Sequence, residues 1–157
     1  MIRSTSNVTI MISGVRSSCE ISARTWLISE LCRKRPNPKV VAWLRKADPE
    51  SLYLSVMTIG EIKKGISKSN DDTRALELEA WLNHQIRARF ADRILPVTEE
   101  IALMWGRFVG AGERLGQPRA SVDALLAATA SVHHLAVVTR NVQHLSGMGV
   151  KLINPWE

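Results

Sequence analysis

Two acids and one amide that lie far apart along the chain are of types that bind divalent metal ions: Glu61, Asp123 and Asn141. Mg²⁺ prefers hard oxygen ligands in octahedral geometry and usually keeps several water molecules, so a few carboxylates and an amide suffice to hold it against phosphates. One such ion can activate a water molecule while a second, roughly 4 Å away, stabilises the leaving oxygen of a phosphodiester. If the fold brings the three side chains together, they are candidates for a magnesium site that acts on phosphodiesters.

Each of these residues also has an ordinary structural interpretation. Glu61 follows Thr58 at the spacing of a capping box, in which the glutamate only binds a backbone amide. Asp123 lies two residues after Ser121 and fits a first-turn acid that interacts favourably with the helix dipole. Asn141 fits a simple turn. The pattern alone leaves the structural and the metal-binding interpretations open.

The stretch from residue 120 to residue 141 contains two elements that would position the candidate ligands. Its first part has the period of a helix. The helix is expected to bury one face, formed by Val122, Leu125, Leu126, Thr129 and Val132. A short β-branched strand at 135–138 follows a tight turn and runs out into Thr139, Arg140 and Asn141. Ligands of open parallel sheets bind beyond the carboxyl ends of the strands, so this polar cluster is expected at the functional edge.

Strands and helices alternate along the rest of the chain. Strands are predicted at 52–54, 94–97 and 150–154, and helices at 25–34, 38–47, 55–68, 78–90 and 98–115. The last of these helices is expected to be capped by Thr98 and to bury Ile101, Trp105, Phe108 and Leu115. Residues 1–24 have no clear period, although 7–12 could form a strand. The alternation predicts an α/β fold, a three-layer α/β/α sandwich with a mostly parallel central sheet and right-handed crossovers.

The composition is that of a single globular domain with a basic surface. The two cysteines, Cys19 and Cys32, have no CxxC spacing and no histidine partners at zinc-finger distance, so a reducing cytoplasm fits best. No apolar run approaches the roughly 20 residues needed to cross a bilayer. The net charge of +6 favours a polyanionic partner, because a positive field concentrates phosphate chains around the protein.

Basic residues near two prolines are the candidates for phosphate contact. Pro36 and Pro38 hold this run in an extended loop rather than along a helix. The candidate nucleic-acid-binding residues are Arg33, Lys34, Arg35, Lys39 and Arg140, and Lys63, Lys64 and Lys68 could extend the patch. The alternative is a solvated face that keeps the protein soluble. His133 and His134 are adjacent and point about 100° apart on a helix, so they are expected to cap its C-terminus rather than share a metal ion.

Seven segments, taken in order, carry a likeness to a known family. They are ISEL at 28–31, RPNPKVVAWL at 35–44, LYLSVMTIGEI at 52–62, RILPV at 93–97, DALLAATA at 123–130, VVTRN at 137–141 and NPWE at 154–157. Together they resemble the PIN-domain toxins of the VapC type, particularly the FitB-like branch. The likeness divides the chain into an atypical N-terminal segment at 1–24, which could include an altered first strand, and a PIN-like nuclease domain at 25–157.

The resemblance implies a Mg²⁺- or Mn²⁺-dependent endoribonuclease, the toxin of a type II toxin–antitoxin pair. It also implies inhibition by a VapB-like antitoxin that binds operator DNA, a homodimer, and a cytoplasmic location. The family's metal ligands map onto Glu61, Asp123 and Asn141, and Thr139 is the neighbouring hydroxyl of the catalytic set. A nuclease of the same fold that acts on DNA would differ only in its substrate.

The leading metal ligand of the family has no counterpart in this chain. In the family, the first strand ends in a motif close to LLDTNVISEL, and its aspartate leads the metal site. Aligned on ISEL, Arg24 and the two residues after it stand there, and Glu20 is the nearest acid. His144 stands where many relatives carry an acid. The chain is therefore either a nuclease in which Glu20 substitutes, a chain altered in reading frame or start within 1–24, or an inactive PIN-like module that binds a VapB-like antitoxin and, with it, operator DNA.

Overall fold

The structure is a computed structural model that describes residues 9–13 and 37–157. Within these residues the strands are β1 Ile10–Ile12, β2 Leu52–Ser55, β3 Ile94–Leu95, β4 Ala136–Val138 and β5 Leu152–Ile153. The helices are α1 Pro38–Lys46, α2 Val56–Ser67, α3 Asp72–Trp81, α4 Arg87–Arg89, α5 Glu99–Arg114, α6 Ser121–Val132 and α7 Val142–Leu145, with a 3₁₀ turn at Pro49–Ser51 and a π-helical turn at Leu82–Ile86. The predicted helix at 25–34, both cysteines, Arg24 and Glu20 lie outside the described residues.

The strands form one sheet in the order β3-β2-β1-β4-β5. β2 pairs parallel with β3 and β4 pairs parallel with β5, whereas the central strand β1 is antiparallel to both of its neighbours. The four strands β2 to β5 therefore point the same way, and the sheet is mostly parallel, as predicted. The reversed central strand, Ile10–Ile12, lies within the run at 7–12 for which the sequence allowed a strand.

Side chains of each strand alternate between two apolar clusters, one on each face of the sheet. In β1, Ile10 and Ile12 join one cluster and Met11 joins the other, as the period of two in a strand requires. Helices α1, α2 and α3 with the π-helical turn cover the first face, and α5, α6 and α7 cover the second. Burying one such large apolar side chain contributes about 1.5–3 kcal/mol. The arrangement is the three-layer α/β/α sandwich that the alternation of elements predicted.

The buried face of α6 differs in part from the predicted one. It consists of Ala124, Leu126, Ala127, Ala128, Thr129 and Ala130. Val122, Leu125 and Val132, which were expected on this face, are only half-buried. Alanines let the helix approach its neighbours closely in a densely packed interior. Thr129 Oγ1 donates a hydrogen bond of 2.8 Å to the carbonyl of Leu125, so this buried hydroxyl is satisfied.

The prediction for the start of α5 is confirmed, and the prediction for its end is wrong. Thr98 caps its start, because Thr98 Oγ1 accepts a hydrogen bond of 3.4 Å from the amide of Ile101, as predicted. Leu115 was expected in the buried face, and that prediction is wrong: Leu115 is the C-cap and is 67% exposed. The reason is that Gly116, with φ of 66°, turns the chain away from the helix axis.

The two histidines close α6, as predicted. His133 is the C-cap residue and its amide donates to the carbonyl of Thr129. His134 follows with φ of 54°, the left-handed conformation that commonly ends helices. Among the helices of residues 37–157, none combines the length and the apolar character that crossing a bilayer requires.

Candidate functional site

Hydroxyl side chains occupy the strand ends at the carboxyl edge of the sheet. β2 ends at Ser55, the chain leaves β4 through Thr139, and the reversed β1 brings Thr9 to the same edge because it is antiparallel to β4. All three residues are buried. Thr58 Oγ1 donates a hydrogen bond of 3.0 Å to the carbonyl of Thr9, which ties β1 to α2. Within the described residues, carboxylates for a metal site at this edge therefore come from helices.

Asp123 lies in the first turn of α6, at this same edge. α6 leads through residues 133–135 directly into β4, so the start of the helix lies beside the end of that strand. The side chain of Asp123 is 21% exposed, and its Oδ2 lies 3.3 Å from Nδ1 of His144 on α7. The N-cap residue Ala120 supplies no capping side chain, so the carboxylate also interacts with the positive end of the helix dipole. Dipole stabilisation and metal binding are compatible at one carboxylate.

Thr139 and Asn141 form a turn between β4 and α7. The hydroxyl of Thr139 accepts a hydrogen bond of 3.1 Å from the amide of Asn141. Asn141 is the N-cap residue of α7, but its side chain makes no capping bond to that helix. The turn interpretation is therefore correct for the backbone, and it leaves the side-chain amide of Asn141 available for a ligand at the edge where Asp123 lies.

Glu61 does not belong to a capping box. α2 is capped by Ser55, whose Oγ accepts a hydrogen bond of 3.2 Å from the amide of Met57, and Thr58 uses its hydroxyl on Thr9 instead. Glu61 lies in the second turn of α2 and both of its carboxylate oxygens contact Lys64 Nζ, at 3.0 and 3.3 Å. α2 covers one face of the sheet and α6 covers the other, and the two helices are in contact with each other.

The donor set fits a magnesium ion that keeps much of its water. Mg²⁺ is commonly bound through one or two carboxylates together with substrate phosphates, which matches the carboxylates of Glu61 and Asp123 and the amide of Asn141. Within residues 9–13 and 37–157, no group of three or more His, Cys, Asp and Glu side chains is placed to hold a metal ion, so these residues form no all-protein cage. Lys64 lies 3.0 Å from Glu61 Oε1 and His144 lies 3.3 Å from Asp123 Oδ2, so each candidate acid has a nitrogen-bearing side chain beside it.

The basic residues predicted to bind nucleic acid are only partly described. Arg140 is exposed and directly precedes Asn141, so it lies at the edge that carries the candidate ligands. Lys39 was expected in an extended loop, and that prediction is wrong: Pro38 begins α1, and Lys39 is exposed in its first turn. Lys63 forms an ion pair of 2.5 Å with Glu79 of α3. Arg33, Lys34 and Arg35 lie outside the described residues.

Two residues near the site carry contacts that the sequence pattern did not predict. His144 was noted only as a departure from the family, yet it contacts Asp123. Arg119 was not singled out, and its Nη1 donates a hydrogen bond of 2.9 Å to the carbonyl of Ser146, the C-cap residue of α7. One contact starts in the first turn of α6 and the other just before its N-cap residue, and both reach α7 or its C-cap across more than 20 residues of sequence. No local periodicity reports such a contact.

Comparison with known proteins identifies the family. A sequence model described as the PIN domain matches residues 25–146. The chain is 35% identical over 132 residues to Toxin FitB of Neisseria gonorrhoeae, covering 84% of this chain and 95% of that protein. It is 29% identical over 133 residues to VapC ribonuclease Y4jK of Sinorhizobium fredii, covering 85% of this chain and 95% of that protein. A solved structure of FitAB bound to an IR36 DNA fragment superposes with a TM-score of 0.76 at 32% identity, covering 82% of this chain and 90% of that chain.

Proposed function

The chain belongs to the PIN-domain family, among toxins of the FitB and VapC kind, and from this premise we propose that it is a Mg²⁺- or Mn²⁺-dependent endoribonuclease restrained by an antitoxin. Relatives of the chain are named ribonucleases, which supports RNA as the substrate. The observation that carries the proposal is the contact of Asp123 with His144 on α7, the helix that begins at Asn141 at the carboxyl edge of the sheet. Ligands of open α/β sheets bind at such an edge.

In this proposal each site residue has a separate role. Glu61, Asp123 and Asn141 hold the ion, and Thr139 keeps the Asn141 turn in place through its buried hydroxyl. When bound, the ion activates a water molecule and neutralises charge on the scissile phosphate. Arg140, exposed beside Asn141, binds a neighbouring phosphate of the RNA.

The test compares two Asp→Asn variants that each alter the first turn of a helix. Asp123→Asn keeps the shape of the side chain and removes its charge, and we expect RNA cleavage in Mg²⁺ to fall by about a hundredfold or more, because several kcal/mol of charge stabilisation are lost. Asp72→Asn changes the first turn of α3, which carries none of the site residues, and we expect full activity. The proposal is wrong if the wild-type protein shows no cleavage that EDTA abolishes, or if Asp123→Asn cleaves as fast as Asp72→Asn.

We also propose a VapB-like antitoxin as the partner, and operator DNA as the ligand of the complex. The structural similarity to FitAB bound to DNA supports this assignment. The proposed assembly is a homodimer of this chain in the cytoplasm, with the antitoxin encoded by an adjacent gene. Co-expression with that small protein should yield a complex that survives purification and binds operator DNA, and recovery of the chain alone would contradict the partner assignment.

A second function, a catalytically inactive module that only binds the antitoxin, is favoured by one observation. Within residues 9–13 and 37–157, the central strand is reversed and brings Thr9, rather than an acid, to the carboxyl edge of the sheet. Fewer carboxylates give a weaker hold on a divalent ion. This module would form the antitoxin complex and show no metal-dependent cleavage, whereas cleavage lost in Asp123→Asn would exclude it.

A further inference from the structure

We propose that Arg119 is a positioning residue that holds the start of α6 and the end of α7 at the spacing that the contact between Asp123 and His144 requires. This inference deepens the proposed function, since it takes the surroundings of Asp123 as the metal site. Arg119 does not touch Asp123 or His144 in the contacts of the structure; it acts through the backbone on either side of them.

The side chain of Arg119 lies in a slot between two glycines. A Cβ added to Gly112 of α5 would lie 2.9 Å from Arg119 Cγ and 2.6 Å from the carbonyl of Gln117. A Cβ added to Gly147 would lie 2.9 Å from Arg119 Nη2. Gly147 also has φ of 79°, a conformation that side chains rarely adopt. The close fit on both sides gives the guanidinium a defined position.

Arg119 closes a short loop of contacts around the candidate site. It directly precedes Ala120, the N-cap residue of α6, so it is four residues before Asp123. Its guanidinium bonds the carbonyl of Ser146, the C-cap residue of α7, two residues after His144. The bond from Arg119 to Ser146 and the contact from Asp123 to His144 therefore link the same two helix ends in parallel.

The bond from Arg119 is the stronger of the two links. It joins a permanently charged donor to a carbonyl at 2.9 Å, whereas Asp123 and His144 are 3.3 Å apart and the His144 side chain is 62% exposed. α7 has four residues, too few to be stable as an isolated helix. Leu145 of α7 is buried in the core, so α7 should stay folded without Arg119 and change only its position.

The first experiment measures the contact in the metal-free protein by NMR of the His144 imidazole. Asp123→Ala defines the signal of His144 without its carboxylate partner. We expect Arg119→Ala to move the His144 signals toward those of Asp123→Ala, and Arg114→Ala, which removes an exposed arginine from the last turn of α5, to leave them unchanged. A simple loss of stability would not move this signal in the folded protein. Coincidence of the Arg119→Ala and wild-type signals would overturn the proposal.

The second experiment measures Mn²⁺ binding by the loss of the free-ion EPR signal. We expect Arg119→Ala to weaken binding on the order of tenfold, the usual effect of removing a group that orients a metal ligand, and Arg114→Ala to bind as the wild type does. Unchanged Mn²⁺ affinity in Arg119→Ala would count against the proposal. If the wild-type protein binds no Mn²⁺, the proposed function fails, while the imidazole signals still decide the role of Arg119.

A conservative variant covers the case in which Arg119→Ala does not fold. Arg119→Lys keeps one charged donor for the Ser146 carbonyl but loses the planar group that lies against Gly147. We expect His144 signals between those of the wild type and Asp123→Ala. If the His144 signals of Arg119→Lys are identical to those of the wild type, the planar shape of the guanidinium does not position the two helix ends.

Discussion

Replacing Thr58 by valine should lower the free energy of unfolding, because Thr58 is hydrogen-bonded to the residue that leads into the central strand. Thr58 is buried, and its hydroxyl donates to the carbonyl of Thr9, a residue 49 positions earlier that leads into β1. Thr58→Val keeps the branched shape of the side chain and removes this donor. A lost buried hydrogen bond, with its acceptor left in the interior, costs about 1–3 kcal/mol. A loss of about 2 kcal/mol lowers the melting temperature by roughly 4–8 °C for a chain of this size.

Thr129→Val is the matched control. Thr129 is also a buried threonine and also donates its hydroxyl to a carbonyl, that of Leu125. Within α6, the Leu125 carbonyl keeps the helical hydrogen bond from the Thr129 amide, so it is not left without a donor. We expect a loss below about 1 kcal/mol.

The assay is thermal unfolding followed by circular dichroism, supported by urea unfolding. Thr58→Val should melt several degrees below Thr129→Val, with both proteins folded at room temperature. Equal melting temperatures for Thr58→Val and the wild type, or a larger loss in Thr129→Val, would refute the placement of β1 beside α2. That result would also remove the observation that favours the inactive module.

Two further predictions concern α5 and the contact between α2 and α3. Gly112→Ala should destabilise the protein by about 1–3 kcal/mol, because the added Cβ would lie 2.6 Å from the Gln117 carbonyl. Gly106→Ala, in the same helix, places its Cβ in open space and should stabilise the protein by about 1 kcal/mol. Similar unfolding free energies for the two variants would contradict the packing around Arg119. The hydrogen bond from Lys63 lowers the pKa of Glu79 below its usual value of 4.5, so the pair stabilises the fold above that pH and its contribution is lost as the pH falls through the lowered pKa. The stability difference between the wild type and Lys63→Ala should therefore shrink in acid, and a difference that stays constant at low pH would contradict this assignment.

The sequence by itself determined the elements and their class. Apolar periodicity, the capping threonine at Thr98 and the histidines at His133 and His134 are local signals, and local signals predict helices, strands and their ends well. They also placed Asp123 early in a helix and Asn141 just after a strand, which is where the structure has them. The predicted roles of these residues in metal binding stay predictions.

Only the tertiary structure decided the direction of the central strand and the partners of the site residues. A strand of three apolar residues, such as Ile10–Ile12, can pair either parallel or antiparallel with its neighbours, so the residue pattern does not predict the direction of the strand. The contact of Asp123 with His144 and the bond from Arg119 to Ser146 join residues more than 20 positions apart. Such contacts exist because α6 and α7 pack on the same face of the sheet, and packing between distant segments leaves no periodic signal in the sequence.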